Sequence, residues 1–176
     1  KQKHNISSTQ IRSALEMADW LLPICHAELS AALDITGRTR DPYSRCTLIP
    51  NGVTPALFKP GRTGDSSLPT QLRAKPFVLQ VARIQSEKNQ LGLIQALFDT
   101  SHTIVFAGPP SPYDPDYVER CYKLASQRGN VYFLGPVPHE EIPGLYEHAA
   151  VHVLPSWREV MPLVCLEAAA AGCKIV

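Results

Sequence analysis

From residue 77 onward this sequence predicts an α/β fold built on a doubly wound parallel sheet. Three observations predict it. Short apolar runs alternate with segments of helical period. The runs are apolar at consecutive positions, as strands covered by helices on both faces require. Each connection is long enough for one helix, which parallel neighbours need.

Phe77-Val78-Leu79-Gln80-Val81-Ala82 reads as the first strand, followed by a polar loop and a helix over 88–99 with Leu91, Ile94, Leu97 and Phe98 on one face. Thr103–Ala107 is the second strand, closed by Gly108 and a Pro-rich turn. A helix over 114–128 places Val118, Cys121, Tyr122 and Ala125 inward and ends near Gly129. Val131–Leu134 is the third strand, with a helix over 139–149 behind it. Val151–Leu154 is the fourth, then a loop and a helix starting near Pro162. Cys173–Val176 reads as a fifth strand cut off as it begins. With no Met or signal peptide at Lys1, this chain is expected to be a truncated part of a longer protein.

Residues 1–50 differ in character: a helix ending near Asp19, a strand at Trp20–Cys25, a helix over 27–35 and a strand at Thr47–Pro50. Pro50-Asn51-Gly52-Val53-Thr54-Pro55 is a turn signal, and residues 59–69 are rich in Gly, Ser and Pro. These place a linker at 51–69, between a segment 1–50 too short to fold alone and a domain at 70–176.

Composition excludes several classes. Lys plus Arg number 17 against 16 Asp plus Glu, with no basic stripe for a nucleic acid. Glu16, Asp19, Glu28 and Glu167 interrupt the apolar stretches, so no segment is suited to crossing a bilayer. Five scattered cysteines, Cys25, Cys46, Cys121, Cys165 and Cys173, suit reduced thiols in a cytoplasmic protein. No pair has zinc-ligand spacing, and a helix end is expected between His148 and His152, so no metal site is expected.

Ligands of open parallel sheets bind at the carboxyl ends of strands where the winding reverses, between the first and fourth strands for the order 3-2-1-4-5. The two most unusual loops follow those strands: Arg83-Ile84-Gln85-Ser86-Glu87-Lys88 and Pro155-Ser156-Trp157-Arg158-Glu159. A glycine-rich dinucleotide turn and a Walker loop are both absent. Arg83 and Lys88 offer a planar fork and a point charge for a pyrophosphate. The helix from Pro162 aims its first amides at the same crevice. Asp114-Pro115-Asp116 mimics a metal-binding D-x-D, but its place at a helix start favours capping.

Ile49-Pro50-Asn51-Gly52-Val53, Val81-Ala82-Arg83 with Lys88-Asn89, Pro155-Ser156, and Glu159-Val160-Met161-Pro162-Leu163-Val164-Cys165-Leu166-Glu167-Ala168 together resemble the retaining glycosyltransferases of family four. Phe133-Leu134-Gly135 and Leu145-Tyr146 fall where that family has a similar strand, glycine and helix. The resemblance runs with gaps from about residue 11 to the end and implies the Rossmann-like C-terminal domain of a two-domain GT-B fold. Residues 1–50 would then be a remnant of the N-terminal, acceptor-side domain, and 70–176 the nucleotide-sugar donor domain.

The resemblance also assigns roles. Arg83 and Lys88 would neutralise the donor diphosphate, Glu159 would bond the transferred sugar, and Glu167 would take the ribose diol, which suits a carboxylate. Backbone at Gly135 and Val137 would border the base, and the amides of Val160, Met161, Pro162 and Leu163 would lie near the diphosphate or sugar, Pro162 contributing no donor of its own. Val160 and Ala82 depart from the family, which often has Gly at both places.

The activity implied is transfer of a sugar from a nucleoside-diphosphate-sugar to a glycan, lipid or small-molecule acceptor with retention, as in polysaccharide biosynthesis, without metal or other cofactor. The acceptor would engage the missing N-terminal domain, so the chain alone is expected to be inactive. The implied setting is cytoplasmic, with peripheral membrane attachment through that missing domain also admitted. A non-catalytic nucleotide-sugar sensor or scaffold module on the same fold is the alternative. A sugar-nucleotide epimerase fits the paired glutamates less well.

Overall fold

The computed structural model describes residues 7–37, 45–58, 68–73 and 75–176. The chain divides into two units, Lys1–Gly52 and Val53–Val176.

In the first unit, α1 (Ser8–Met17) starts from a capping box. Ser7 Oγ accepts the Gln10 amide at 3.2 Å, and Gln10 Oε1 accepts the Ser7 amide at 2.8 Å. α2 (His26–Thr36) closes at Gly37, whose φ of 66° is the left-handed turn glycine permits. The strands expected at 20–25 and 47–50 are reduced to one parallel bridge, Leu21 to Cys46. Bonds from Thr47 N to Leu21 O and from Ile49 N to Pro23 O flank it at 3.0 Å each. Pro23 has no N–H to donate, so the pairing cannot lengthen into a full ladder.

The second unit opens with a 3₁₀ turn, Pro55–Phe58, and the short α3 (Thr70–Arg73). There follow β1 (Phe77–Val81), α4 (Gln90–Ala96), β2 (Thr103–Ala107), α5 (Pro115–Arg128), β3 (Val131–Gly135), α6 (Ile142–His148), β4 (Ala149–His152) and α7 (Leu163–Ala170). The sheet order is β3-β2-β1-β4, and every pairing is parallel. Ile175 bridges His152 in parallel, and the His152 amide donates to Lys174 O at 2.7 Å. The final run thus lies beside β4, where the 3-2-1-4-5 order puts a fifth strand.

Alternation along the strands builds two cores, one per face. Phe77, Leu79, Val105 and Ala107 pack with Leu145, Tyr146 and Ala168 on one side. Ile104 and Phe106 pack with Ile94, Val118 and Cys121 on the other. Phe58 and Leu68, within the stretch read as linker, are buried in the first of these cores, and Val53 packs against it; residues 59–67 of that stretch lie outside the described residues.

Several boundaries differ from expectation. α4 begins after Asn89, which takes a left-handed φ of 55° and interrupts the helix read as continuous from 88. β4 begins two residues early, although the Val153 amide still donates to Leu79 O at 2.8 Å. Tyr122 is exposed rather than inward, because the apolar face of α5 is narrower than the spacing suggested, and Phe98 is exposed because α4 ends at Ala96, before it. The Tyr122 ring still meets Phe133 edge-on at 4.6 Å. α6 ends at His148, so His148 and His152 belong to different elements.

Candidate functional site

The loop after β1 is held from beneath by two buried glutamines. Gln80 Nε2 donates to Lys88 O at 2.7 Å, and Gln90 Nε2 donates to Arg83 O at 3.0 Å. Tyr117 Oη in turn donates to Gln90 Oε1 at 3.2 Å, which fixes the amide's orientation. The two carbonyls that bracket the loop are therefore anchored to the sheet and to α4. Burying an amide without partners is costly, so these bonds define one loop conformation.

The loops after β1 and β4 meet. Asn89 Nδ2 donates to Pro155 O at 3.1 Å while its Oδ1 accepts the Gly92 amide at 3.3 Å. The Trp157 amide donates to Glu87 O at 3.0 Å. Lys88 Nζ lies 2.5 Å from Glu159 Oε1, each side chain about one-quarter exposed at 25% and 24%. The convergence expected from strand order is present.

On its other side the β1 loop lies against the β2 loop. The Ala82 amide donates to Ala107 O at 2.9 Å and the Ile84 amide to Pro109 O at 3.0 Å. Gly108 makes this approach feasible: its φ is 146°, and a Cβ there would fall 2.2 Å from Ala82 O. Asp114 does not cap α5, as had been expected. Its Oδ2 accepts the Ser86 amide at 2.9 Å, and so ties the β1 loop from across the chain. The start of α5 is set by Pro115 at its first turn instead.

A cavity of about 240 Å³ opens at these strand ends, lined by Ala82, Arg83, Gly108, Pro109, Val137 and Val164 among others. Arg83 and Val137 of the expected site line it, whereas Lys88, Glu159 and Glu167 do not. Gly135, with φ at 71°, accepts the Gly108 amide at 2.8 Å and so ties β3 to the same rim. Val160 and Leu163 are exposed, and Met161 and Pro162 half-buried. Pro162 stands at the cap of α7 and offers the first turn no side-chain acceptor.

Glu167, on α7, is nearly buried, with its side chain 10% exposed, and its Oε1 lies 3.0 Å from His139 Nε2. The sequence reading missed His139, which stands 28 residues away in a 3₁₀ turn, His139–Glu141, with no spacing signal. Tyr146 donates to Val164 O at 3.0 Å, and burial, reinforced by the Glu167 charge, pushes its phenol above the usual range. At the end of β4, His152 is fully buried, which lowers its pKa to about 4. Its Nε2 accepts the Val81 amide at 3.4 Å, and its Nδ1 has no partner.

Among the described residues no group of three or more His, Cys, Asp or Glu is placed to hold a metal ion, and no helix is long and apolar enough to cross a membrane.

Comparison with known proteins agrees with the fold. The family model described as "Glycosyl transferases group 1" matches residues 69–176. The D-inositol 3-phosphate glycosyltransferase of Acidothermus cellulolyticus is 30% identical over 175 residues, spanning 90% of this chain and 38% of that protein. The crystal structure of Anabaena Alr3699/HepE in complex with UDP and glucose superposes with a TM-score of 0.80 at 25% identity, covering 97% of this chain and 48% of that one. The C-terminal domain of a glycosyl transferase group 1 family protein (LpcC) from Francisella tularensis superposes with a TM-score of 0.57 at 26% identity, covering 70% of this chain and 69% of that domain. The chain thus spans less than half the length of the first two.

Proposed function

This chain belongs to the glycosyl transferases group 1 family, and on that premise we propose that the protein containing it transfers a sugar from a nucleoside-diphosphate-sugar to a glycan, lipid or small-molecule acceptor, with retention. The observation that carries the reading is the meeting of the β1 and β4 loops, with Lys88 against Glu159 and Arg83 on the rim of the adjoining cavity.

The chemistry suits those residues. Cleaving the bond between the sugar and the diphosphate builds negative charge on the leaving phosphate. Cations already in place, and amides at the start of α7, gain interaction energy as that charge grows, so they lower the barrier rather than merely binding substrate. Loss of one such donor raises the barrier by about 2.7–4 kcal/mol. In this reading Arg83 and Lys88 do the work a metal ion does elsewhere, and none is required. Glu159, paired with Lys88 in the structure, is assigned the sugar hydroxyls once diphosphate takes the lysine. Glu167 receives the ribose diol, and backbone at Gly135 and Val137 borders the base. Glucose and UDP in the Anabaena protein support a donor of this type.

Calorimetric titration of the chain with UDP, GDP, ADP and their sugar conjugates tests the reading. One nucleotide series should bind, more weakly in Arg83→Ala and Lys88→Ala. The absence of heat for all three in the chain and in its full-length parent would overturn it. The chain alone should transfer nothing, because the acceptor side lies in the preceding domain; radiolabel in an acceptor after incubation with the isolated chain would contradict that part.

A further inference from the structure

Glu167 is a nearly buried carboxylate bordered by the imidazole of His139 and by the hydroxyl of Tyr146, whose own proton goes to Val164 O. Its Oε1 faces His139 Nε2 at 3.0 Å, while Oε2 is not among the enclosed polar atoms that lack a partner. A carboxylate only accepts, so Nε2 carries the proton in this contact. The imidazole is itself held on a second side, its ring standing edge-on to Phe58 at a centroid distance of 6.0 Å and an angle of 80°. Phe58 is 1% exposed and packed in the core, so it gives His139 a rigid backstop. Pro138, immediately before the 3₁₀ turn, narrows the backbone freedom of the imidazole's carrier.

Stability does not account for this arrangement. The His139 side chain is 64% exposed, and a pair so open to water contributes little to folding. What the contact does fix is the rotation of the Glu167 carboxylate. One oxygen is engaged, and the plane of the group is thereby set.

We propose that His139 is a positioning residue for ribose recognition: it holds Glu167 so that the carboxylate meets the two adjacent hydroxyls of a nucleotide in one orientation. This rests on the donor-site reading above. His139 touches no part of the nucleotide and acts only through Glu167. Without it the carboxylate loses the donor that orients it, the Tyr146 hydroxyl being committed to Val164 O, and binding must first restrict it, an entropic cost that falls on ribose and not on the phosphates.

The test is calorimetry on the full chain with UDP, GDP and ADP and with their 2′-deoxy counterparts. Wild type is expected to prefer the ribonucleotide of the series it binds. His139→Ala is expected to shrink that preference about three- to tenfold, the scale of one hydrogen bond. Deoxynucleotide affinity and melting temperature should stay as in wild type. His139→Gln, which keeps a donor, should restore the preference. An equal loss for both sugars, an unchanged preference, or tighter ribonucleotide binding in His139→Ala would overturn the proposal. Lack of recovery in His139→Gln would assign the effect to packing against Phe58 and overturn it as well. A wild type that binds nucleotides without ribose preference defeats the positioning role alone; one that binds none defeats the donor site and this role together.

Discussion

Lys88 Nζ and Glu159 Oε1 stand 2.5 Å apart although 71 residues separate them in the chain. The contact joins the loops after two adjacent strands and pairs two opposite charges. On the proposed donor reading, a diphosphate entering here competes with Glu159 for the lysine. Lys88→Ala therefore leaves Glu159 without its counter-charge and the diphosphate without its cation. Nucleotide affinity should fall roughly ten- to a hundredfold, the range for a charge-assisted hydrogen bond. Stability should change by no more than about 1 kcal/mol, since the pair is partly solvated. Titration calorimetry and urea unfolding on the same samples read both; unchanged affinity would remove Lys88 from the site.

Gly108 marks the closest approach of the β1 and β2 ends, with the position of an added Cβ 2.2 Å from Ala82 O. Gly108→Ala combines that overlap with a backbone angle that L-residues avoid. It should cost about 2–4 kcal/mol and widen the cavity rim. Urea unfolding measures the loss, and a change under 0.5 kcal/mol, about the size expected for an indifferent surface substitution, would show that the loops separate freely.

His152 makes stability depend on pH. Burial lowers its pKa from the ordinary imidazole value of about 6.5 to about 4. Between those values the unfolded chain takes up a proton that the native protein does not. Its contribution is thus complete above about pH 6.5 and declines as the pH falls toward 4, by on the order of 3 kcal/mol. His152→Leu should abolish this component and, by removing the unpartnered Nδ1, unfold less readily than wild type at pH 5. Parallel stability-against-pH curves for the two proteins would refute the assignment.

Asp114 separates a structural carboxylate from a metal ligand. Because its Oδ2 accepts the Ser86 amide, Asp114→Ala should destabilise the protein by about 1 kcal/mol and weaken diphosphate binding only through the loop. EDTA and added Mn²⁺ should leave nucleotide affinity as it is in wild type. A metal-dependent gain in that affinity, lost in Asp114→Ala, would restore the D-x-D reading.

The sheet was legible because Phe77–Val81, Thr103–Ala107 and Val131–Gly135 are apolar runs of strand length separated by single helices. The meeting of the β1 and β4 loops followed from strand order, but the cavity opens over the ends of β1, β2 and β3, with no residue of the β4 loop in its lining. Pattern failed where an outcome depended on one side chain choosing among partners. Asp114 had a helix start beside it and a loop amide across from it, and the loop amide won. His139 reaches Glu167 only because the turn before α6 comes close to α7, a matter of packing that no local spacing encodes. The strand expected at Trp20–Cys25 failed for a reason visible in hindsight, since Pro23 removes a donor from the run.

Gln80 and Gln90 grip the carbonyls of Lys88 and Arg83, so the frame of the β1 loop resides in residues that never reach the crevice. Support and contact are thereby separated. Ser86 and Glu87 point to solvent and carry only backbone bonds in that frame. Their side chains can be replaced, altering what the rim presents, without loosening the backbone that carries the two cations. The glutamines, invisible to any ligand, are where a change would silently dismantle the loop.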